Sequence, residues 1–411
     1  MSTNGSSKAS DSPRLGVYID TVHRLVETPD GPCIATDPAD FAFVGIFLPK
    51  VGERFQSLLL FGRSDPGELG DYVLLPPEVE LAELPHYGDL RQIPSVARSL
   101  FRTAARFWRG LDRVDTIWVF GPHPFGLMFV AMAALRRRQV VLGVRQDTMA
   151  YFRSRLPSRR WAPLLVGAQM LDTSYKLLSR RVKTVVTGPA IAERYGANRP
   201  QVFVMWESVV RVAEVAKEPR DQSWDGPIEL ITVGRLDPEK NPLLLVEAIA
   251  ELNRTEPGRY KVTWIGGGPM EQAIRDRAAE LGVADQIDLI GFVPFGPELL
   301  GLYRRAHAFV HVSFTEGVPK VLVEALGCAT PIVATDVGGV RNLLDDGHAG
   351  LLVPPADLDA LVAAIRLMAE DPALRERLVV RGLELARDLT LEHQSERVAG
   401  FIANELGEGG L

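Results

Sequence analysis

The stretch Ala308-Phe-Val-His-Val-Ser-Phe-Thr-Glu-Gly-Val-Pro-Lys-Val-Leu-Val-Glu324 passes from an apolar strand, through a short loop, into an apolar helix. It carries two carboxylates, Glu316 in the loop and Glu324 about one and a half turns into the predicted helix. Because helical side chains lean toward the helix N-terminus, Glu324 can point back at the loop that holds Glu316. A helix N-terminus also offers free backbone N–H groups to anions. Two acceptors for sugar hydroxyls beside such a helix end predict a nucleotide-sugar site.

The whole second half of the chain alternates strand and helix in the same way. The predicted strands are short apolar runs at residues 228–233, 260–265, 287–290, 308–312 and 331–334. A helical segment follows each of them, for example at residues 242–252 and 270–281. This rhythm is typical of an open parallel sheet covered by helices, in which ligands bind beyond the carboxyl ends of the strands.

The first half alternates less regularly, with predicted strands at residues 15–19, 57–61, 115–120, 140–144, 183–187 and 201–205 and a helix at 125–135. We therefore predict an α/β chain of two Rossmann-like, doubly wound domains that face each other across a cleft. Residues 1–13 are polar and Ser-rich, which is typical of a disordered tail. The predicted first domain spans residues 14–212, a polar, Pro-containing linker spans 213–227, and the second domain spans 228–388.

Length and composition agree with this plan and exclude several classes of protein. A chain of 411 residues is longer than one hydrophobic core usually supports. The two cysteines, Cys33 and Cys328, give neither a disulfide framework nor the spacing of a metal site, which favours a reducing, cytoplasmic compartment. The N-terminus lacks the apolar segment of a signal peptide, and no run of about 18 apolar residues predicts a membrane span.

One block of the chain is strongly basic. From Arg136 to Lys183 there are twelve Lys or Arg residues against two acids, Asp147 and Asp172, and the apolar stretch 161–171 lies within it. Such a block can dock on an anionic membrane surface, or it can be a core helix with solvated basic neighbours. Nucleic acid is not a predicted partner, because the chain has a net charge of −6 and carries no known nucleic-acid-binding module.

Three further loops of the second half follow predicted strands. In Gly234-Arg-Leu-Asp-Pro-Glu-Lys240, the cations Arg235 and Lys240 project toward the strand ends, where they can neutralise a diphosphate; the alternative is a plain surface turn. Gly266-Gly-Gly-Pro269 allows close backbone approach to a ligand, although Gly-Pro clusters also mark ordinary turns. It is not the GxGxxG fingerprint, so no nicotinamide cofactor is indicated.

The third loop is Gly291-Phe-Val-Pro294, which could hold a nucleobase through backbone groups and an aromatic contact, unless Phe292 simply packs.

The carboxylate pair of Glu316 and Glu324 has an alternative interpretation too. Lys320 and Glu324 are four residues apart, so they could form a helix-surface pair that contributes about 0.2–0.5 kcal/mol. However, the helix is apolar nearly all round, so a carboxylate at Glu324 would be largely buried and would need a defined partner.

Together these motifs resemble the retaining glycosyltransferases of family 4, which have the GT-B fold. The resemblance covers about residues 228–368 and includes two later segments, Pro331-Ile-Val-Ala-Thr-Asp-Val-Gly-Gly339 and Gly347-His-Ala-Gly-Leu-Leu-Val-Pro-Pro355. It implies a nucleoside-diphosphate-sugar donor, UDP- or GDP-linked, that binds mainly to the second domain, with no metal and no cofactor. It also implies that residues 389–411 contain a final helix that crosses back to the first domain.

The resemblance assigns roles residue by residue. Arg235 and Lys240 would hold the diphosphate, Glu316 would contact hydroxyls of the donor sugar, and Glu324 would bind the ribose. Arg235, Lys240 and Glu316 are the predicted catalytic residues of this domain. The residues that the resemblance places at the donor are Gly234, Arg235, Lys240, Gly267, Gly268, Phe292, Val293, Glu316, Gly317, Val318, Pro319, Lys320, Val321 and Glu324.

The first half departs from the family pattern at four loops. A histidine is common just after the strand at 115–120, and the nearest one here is His123. The next loop, often His-Asp, is Arg145-Gln-Asp147. Trp206-Glu-Ser208 replaces the usual Pro-Asn-Gly, and Asp20-Thr-Val-His23 stands where a glycine-rich loop is expected. His123, Asp147 and Arg145 are the candidate residues on the acceptor side, and a purely structural role is the alternative for each.

The implied function is a retaining hexosyltransferase that moves a sugar to the hydroxyl of a lipid-linked, polysaccharide or other glycoconjugate acceptor. It would act in the cytoplasm or at the inner face of the membrane. Arg235, Lys240 and the helix end at Pro319 would stabilise the leaving diphosphate, whose phosphate could itself take the acceptor proton. Two alternatives stay open: a nucleotide-sugar epimerase or sugar-phosphate synthase on the same fold, and a non-catalytic homologue that binds nucleotide sugars.

Overall fold

The computed structural model describes residues 12–29, 31–66, 69–85, 93–145 and 162–404. The chain divides into two compact units. The first comprises Met1–Val209 together with Leu391–Leu411, and the second comprises Val210–Thr390. No helix within the described ranges is both long and apolar enough to cross a membrane.

The strands, numbered in chain order, are β1 (Leu15–Thr28), β2 (Gly31–Thr36), β3 (Leu58–Pro66), β4 (Val73–Leu74), β5 (Glu80–Pro85), β6 (Thr116–Gly121), β7 (Gln139–Val144), β8 (Lys183–Thr187), β9 (Val202–Met205), β10 (Ile228–Val233), β11 (Tyr260–Ile265), β12 (Ile287–Gly291), β13 (Ala308–His311), β14 (Ile332–Thr335) and β15 (Leu351–Val353). Each strand that the sequence predicted is present, with ends that differ by a few residues except in β1, which extends nine residues further.

The α-helices are α1 (Pro38–Phe41), α2 (Leu48–Gly52), α3 (Ile93–Gly110), α4 (Pro124–Leu135), α5 (Ala162–Leu178), α6 (Pro189–Tyr195), α7 (Pro242–Thr255), α8 (Glu271–Glu280), α9 (Pro297–Arg305), α10 (Lys320–Gly327), α11 (Val340–Leu343), α12 (Leu358–Glu370), α13 (Pro372–Asp388) and α14 (Leu391–Ile402). A π-helix, Ala42–Phe47, joins α1 to α2. Short 3-10 helices occur at Leu111–Arg113, Val212–Glu214, Pro238–Lys240, Ala284–Gln286 and Asp345–Gly347.

The sheet of the first unit has the order β4-β2-β1-β6-β7-β8-β9, with β3 on the other side of β1 and β5 beside β3. One face packs against α3, α4 and α5 through Phe107, Phe129 and Tyr175. The other face packs against the π-helix through Phe43 and against α14 through Ile402. Both faces are therefore covered, which explains why the parallel strands are apolar runs without alternation.

The first strand is longer than the sequence predicted. Residues 15–18 of β1 lie between β3 and β6, both parallel to it. Beyond them, residues 22–25 still pair with β3, and residues 23–28 pair with antiparallel β2 on the other side, so β2 occupies the side that β6 leaves. The sequence Thr28-Pro-Asp-Gly31 has the composition of a tight turn, which accounts for the return of the chain as β2.

The sheet of the second unit is parallel throughout its described pairs and has the order β12-β11-β10-β13-β14-β15. From β10 the chain proceeds to β11 on one side, whereas β13 continues to β14 on the other. The strand order therefore reverses between β10 and β13, which makes this position a topological switch point, where open α/β sheets bind ligands.

The predicted linker, residues 213–227, lies on the second unit. The guanidinium group of Arg220 donates hydrogen bonds to the carbonyl oxygens of Ala329 at 3.1 Å and Ala306 at 2.9 Å. Burial lowers the pKa of Arg220 to about 10, so it remains a cation at neutral pH. The guanidinium carbon of Arg375 lies 4.2 Å from the centroid of the Trp224 ring. These contacts fix the segment as part of the unit.

Candidate functional site

Two loops meet at the switch point of the second sheet. One follows β10 and ends in the 3-10 helix Pro238–Lys240, and the other follows β13 and leads into α10. The N–H group of Phe314 donates to the carbonyl oxygen of Glu239 at 2.9 Å, so the backbones of the two loops are joined. Because β10 and β13 are neighbours in the sheet, Lys240 and Glu316 come together although they are far apart in the sequence.

Glu316 is the centre of a polar cluster. Its Oε1 atom lies 2.6 Å from the ammonium group of Lys240, accepts a hydrogen bond of 2.6 Å from the Ser313 hydroxyl, and lies 2.9 Å from Nε2 of His311. The Glu316 side chain is only 8% exposed, whereas that of Lys240 is 24% exposed. The arrangement gives a nearly buried carboxylate with a cation beside it that solvent and ligands can reach.

The charge state of Glu316 follows from these neighbours. Burial alone would raise the pKa of Glu316, but the hydrogen bond and charge of His311 and the charge and hydrogen bond of Lys240 lower it to about 2. The group is therefore a carboxylate at any physiological pH. A carboxylate only accepts hydrogen bonds, so it suits the hydroxyl groups of a sugar.

Glycines let the site loops approach one another. Gly338 has a φ of +53°, and a Cβ atom there would lie 1.8 Å from the carbonyl oxygen of Glu316. The next residue, Gly339, donates its N–H to the carbonyl oxygen of Gly317 at 3.1 Å. Only glycine fits this contact, because the obstacle is backbone and cannot move aside. The turn after β14 therefore packs against the backbone of the Glu316 loop and supports it.

The glycine turn after β11 plays the same part for the loop after β10. A Cβ atom on Gly266 would lie 2.0 Å from the carbonyl oxygen of Gly234, and one on Gly268 would lie 2.7 Å from that of Leu236. The N–H group of Leu236 donates to the Gly267 carbonyl at 3.0 Å. The predicted close approach at this turn is thus to the neighbouring loop of the chain itself.

Glu324 is buried, as the apolar pattern of its helix predicted. Its partner within the chain is Tyr303 of α9, whose hydroxyl donates to Oε2 at 2.9 Å. Burial raises the pKa of Glu324 to about 7, against the lowering effects of the Tyr303 hydrogen bond and the Lys320 charge. Near neutral pH the group is therefore poised between a carboxylic acid and a carboxylate.

The other predicted donor-site residues lie along the same edge of the sheet. Arg235 is 67% exposed and pairs with Asp237 at 2.7 Å and Glu239 at 2.9 Å, so it lies on the surface of its turn. Phe292 is exposed in the loop after β12. Helix α10 begins at Lys320, and its N-cap residue, Pro319, has no side chain that can cap the first N–H groups. Val293, Gly317 and Val318 lie in these loops, and Val321 lies in the first turn of α10.

In the first unit, His123 follows β6 and precedes α4. Its Nδ1 atom lies 3.2 Å from the Tyr18 hydroxyl, and its Nε2 atom lies 3.2 Å from Oδ2 of Asp20. Arg63 approaches the same carboxylate, with Nε 3.0 Å from Oδ1. Two departures from the family pattern, Asp20 and the displaced His123, are therefore in contact with each other.

The other two departures are also paired. Arg145, after β7, donates two hydrogen bonds to Oε2 of Glu207, after β9, at 3.2 and 2.9 Å. Its guanidinium carbon lies 4.1 Å from the centroid of the Phe43 ring. Asp147, the remaining candidate, lies outside the described residues, as does the part of the basic block at 146–161.

Sequence reasoning missed His311 and Ser313, which hold Glu316. They are two residues apart at the end of a strand, so their side chains face the same side of the sheet, and that spacing is a signal in the sequence. It also missed Asp20, Arg63 and Glu207 as site residues. Asp20 and Glu207 stand at positions where the family pattern has other residues, and the departures themselves were the available signal.

Comparisons with known proteins bear on the family and on the fold. Residues 215–384 match the family described as glycosyl transferases group 1. The match spans most of the second unit. Among curated proteins, the chain is similar to the D-inositol 3-phosphate glycosyltransferase of Frankia alni, with 40% identity over 164 residues, 38% of this chain and 39% of the relative.

A second relative is an alpha-1,4-N-acetyl-D-galactosaminyltransferase of Campylobacter jejuni, whose full name includes diNAcBac-PP-undecaprenol. It is 30% identical over 184 residues, 44% of this chain and 50% of the relative. The chain thus spans half or less of the length of these curated relatives.

Solved structures are similar over nearly the whole chain. Sucrose-phosphate synthase from Thermosynechococcus elongatus superposes with a TM-score of 0.65 at 18% identity, covering 94% of this chain and 97% of that one. WaaG, a glycosyltransferase involved in lipopolysaccharide biosynthesis, gives 0.67 at 13% identity, covering 94% and 99%. At such identities the likeness shows the fold alone, and it confirms the predicted GT-B fold of two Rossmann-like units.

Proposed function

We propose that the chain is a retaining, metal-independent glycosyltransferase that moves a sugar from a nucleoside-diphosphate sugar to an acceptor hydroxyl. The observation that carries this proposal is the contact of 2.6 Å between Lys240 and Glu316 at the switch point of a group 1 domain. A cation that can meet a diphosphate stands beside a carboxylate that can accept hydrogen bonds from sugar hydroxyls. Both groups are charged before any ligand arrives, so little reorganisation is needed on binding.

The charges of the site account for catalysis without a metal or cofactor. As the sugar–phosphate bond breaks, negative charge develops on the departing diphosphate. Lys240 and the N-terminal end of α10 face this charge, and Arg235 joins them when it exchanges Asp237 and Glu239 for phosphate oxygens. The leaving phosphate takes the proton of the acceptor hydroxyl on the same face of the sugar, which retains the anomeric configuration.

The nucleoside of the donor is proposed to be uridine or guanosine. A structural neighbour, Alr3699/HepE of Anabaena, was solved in complex with UDP; it has a TM-score of 0.64 at 17% identity and covers 95% of this chain and 100% of that one. Within the present chain, the exposed ring of Phe292 lies in the loop after β12, where a base could stack.

A panel of UDP- and GDP-sugars, scored by thermal stabilisation and slow hydrolysis, tests the proposal. A donor at one hundred times its dissociation constant stabilises the folded chain by about 2.7 kcal/mol. We expect Lys240→Ala and Glu316→Gln to lose this response, and Lys261→Ala, an exposed lysine on β11, to keep it. EDTA should not change turnover, and the product should keep the anomeric configuration by NMR. Failure of every donor to stabilise the wild type, or a full response from both site variants, contradicts the proposal.

The acceptor is proposed to be lipid-linked or another glycoconjugate, reached in the cytoplasm at the inner face of the membrane. Helices α3 and α5 cover the same face of the first sheet. Their outer surfaces expose Phe101, 82% accessible, and Val166, Met170 and Leu177 on one side of α5. Exposed arginines flank them, such as Arg102. Apolar side chains rimmed by arginine suit an anionic lipid surface.

Flotation with vesicles, neutral or containing anionic lipid, tests this membrane contact. We expect anionic vesicles to carry the protein and Phe101→Ser or Met170→Ser to reduce the bound fraction several-fold. Val380→Ser, which removes an exposed apolar side chain from α13 of the second unit, is the control. An equal distribution with and without anionic lipid contradicts a membrane role for this surface.

A further inference from the structure

The sheet of the first unit has a switch point of its own at β1. The strand order reverses there, because β3 lies on one side of β1 and β6 on the other. The pairing of β1 with β6 extends to Tyr18, and its pairing with β2 begins at His23. Asp20 lies in the interval between these two pairings. Its backbone is therefore at the carboxyl edge of the parallel strands, the position where open α/β sheets bind ligands.

His123 lies at this edge as well, but its ring is already engaged. The Tyr18 hydroxyl is 3.2 Å from Nδ1. Nε2 is covered from solvent and lies 3.2 Å from Asp20 Oδ2, an ion-pair distance without the alignment of a hydrogen bond. In this conformation a ligand can reach neither nitrogen of the His123 ring. The histidine therefore supports the carboxylate of Asp20 and does not contact a ligand itself.

The carboxylate of Asp20 is the accessible member of the group. Its side chain is 24% exposed, against 13% for His123 and 14% for Arg63. Arg63 fixes its orientation, with Nε 3.0 Å from Oδ1 and Nη2 3.5 Å from Oδ2. A carboxylate has about four lone-pair sites, so one that is partly exposed can accept a hydrogen bond from a ligand hydroxyl beside its contacts with Arg63 and His123.

We propose that Asp20 binds a hydroxyl group of the sugar acceptor, and that Arg63 and His123 are positioning residues that hold its carboxylate. The inference rests on the proposed transferase function and extends it to the acceptor side. The hydroxyl donates a hydrogen bond to the carboxylate, which orients the oxygen lone pair without removing the proton. In this arrangement the residue that contacts the substrate is Asp20 of β1, and His123 supports it.

Steady-state kinetics with octyl glycosides as acceptor probes and the donor identified by the panel test this assignment. Asp20→Asn keeps the size of the side chain and removes its charge. We expect kcat/KM for the acceptor to fall about tenfold to a hundredfold, as for a lost hydrogen bond to a charged group, while the KM of the donor stays within twofold. Asp115→Asn is the matched control, because Asp115 also pairs with an arginine, Arg14 at 2.8 Å, but precedes β6 at the opposite edge of the sheet.

The positioning residues have a distinct signature. Arg63→Lys keeps the charge but loses the planar fork, so it should raise the acceptor KM less than Arg63→Gln does and leave donor binding unchanged. His123→Gln should likewise change the acceptor KM alone. If Asp20→Asn proves unstable, Asp20→Glu, which keeps the charge but moves it by one methylene, should still raise the acceptor KM.

Two outcomes overturn the inference, and they can be told apart. If the wild type transfers sugar to a probe and Asp20→Asn keeps its acceptor kcat/KM within threefold, the assignment of Asp20 is wrong and the transferase function stands. If the wild type neither binds nor hydrolyses any donor, the proposed function fails and the inference fails with it.

Discussion

The two units carry the same topological feature, a switch point in a parallel sheet, and fill it with different chemistry. At β10 and β13 in the second unit, glycine turns bring loops into backbone contact around Glu316. At β1 and β6 in the first unit, the strand continues as part of a hairpin, and the residues that depart from the family pattern pair with one another. Asp20 contacts His123, and Arg145 contacts Glu207. The departures therefore form a second organised polar edge.

The largest effect that would test this contrast is expected for Gly338→Ala. The substitution places a Cβ atom 1.8 Å from the carbonyl oxygen of Glu316 and forces alanine to a φ of +53°. Because the obstacle is backbone, we expect the free energy of unfolding to fall by about 3–4 kcal/mol and the response to donor to be lost. Chemical denaturation followed by fluorescence, with and without donor, measures both.

Gly226→Ala is the control, because a Cβ atom there meets no other atom within 4 Å. It should leave both quantities near those of the wild type. If Gly338→Ala left stability and donor response unchanged, the loops would not be held by this backbone contact. The structural difference drawn between the two units would then be wrong.

The regularity of the second unit explains why it could be predicted from sequence. Its strands are buried on both faces, so they are continuous apolar runs with turns between them, and local pattern suffices. The continuation of β1 could not be predicted in that way. Residues 20–28 are of mixed polarity, and they are a strand because β2 returns to pair with them. That pairing is tertiary, so it leaves little trace in the segment itself.

The same distinction holds for the site. Lys240 and Glu316 were predicted individually, because each follows a predicted strand. Their contact depends on β10 and β13 being neighbours, which the sequence pattern does not state. Arg145 and Glu207 are 62 residues apart, and only the succession of β7, β8 and β9 in the sheet brings them together. Sequence spacing identifies candidate residues, and the order of the strands in the sheet decides which of these residues contact one another.

The second prediction concerns the two carboxylates of the donor side, which should respond to pH in opposite directions. The pKa of Glu324 is about 7 when folded and about 4.5 when unfolded. Between these values the native state holds a proton that the unfolded state has lost, so stability falls as pH rises through this window. Glu324→Gln removes the effect, and its stability relative to the wild type should grow by about 2–3 kcal/mol between pH 4.5 and pH 8.

Glu316 provides the contrast. Its pKa is lowered to about 2, so its contribution is present above pH 4.5 and is lost as the pH falls from 4.5 toward 2. Glu316→Gln should therefore differ from the wild type in acid and show no such trend between pH 5 and pH 8. Denaturation curves at matched pH values measure both variants. A flat difference for Glu324→Gln across neutral pH would mean that Glu324 is ionised in its buried place.

The smallest effect is expected for the Arg145–Glu207 pair. Its size tests whether this contact stabilises the fold more than an exposed ion pair does. A double-mutant cycle with Arg145→Met and Glu207→Gln should give a coupling energy of about 1–2 kcal/mol in the free energy of unfolding. Arg14→Met and Asp115→Asn form the matched cycle at the opposite edge of the same sheet. That pair is more exposed, 34% and 41%, so its coupling should be about 0.2–1 kcal/mol.

The single variants should also be unequal. Glu207 is 5% exposed and Arg145 is 23% exposed. Arg145→Met leaves a buried carboxylate without its arginine, whereas Glu207→Gln leaves a cation that solvent can reach, so the first should cost more stability. Equal losses, or a coupling no larger than that of Arg14 and Asp115, would mean that the contact stabilises the fold no more than an exposed ion pair does. A large coupling with the predicted asymmetry would mean that the arginine after β7 requires the glutamate after β9, so neither could revert to the family pattern alone without loss.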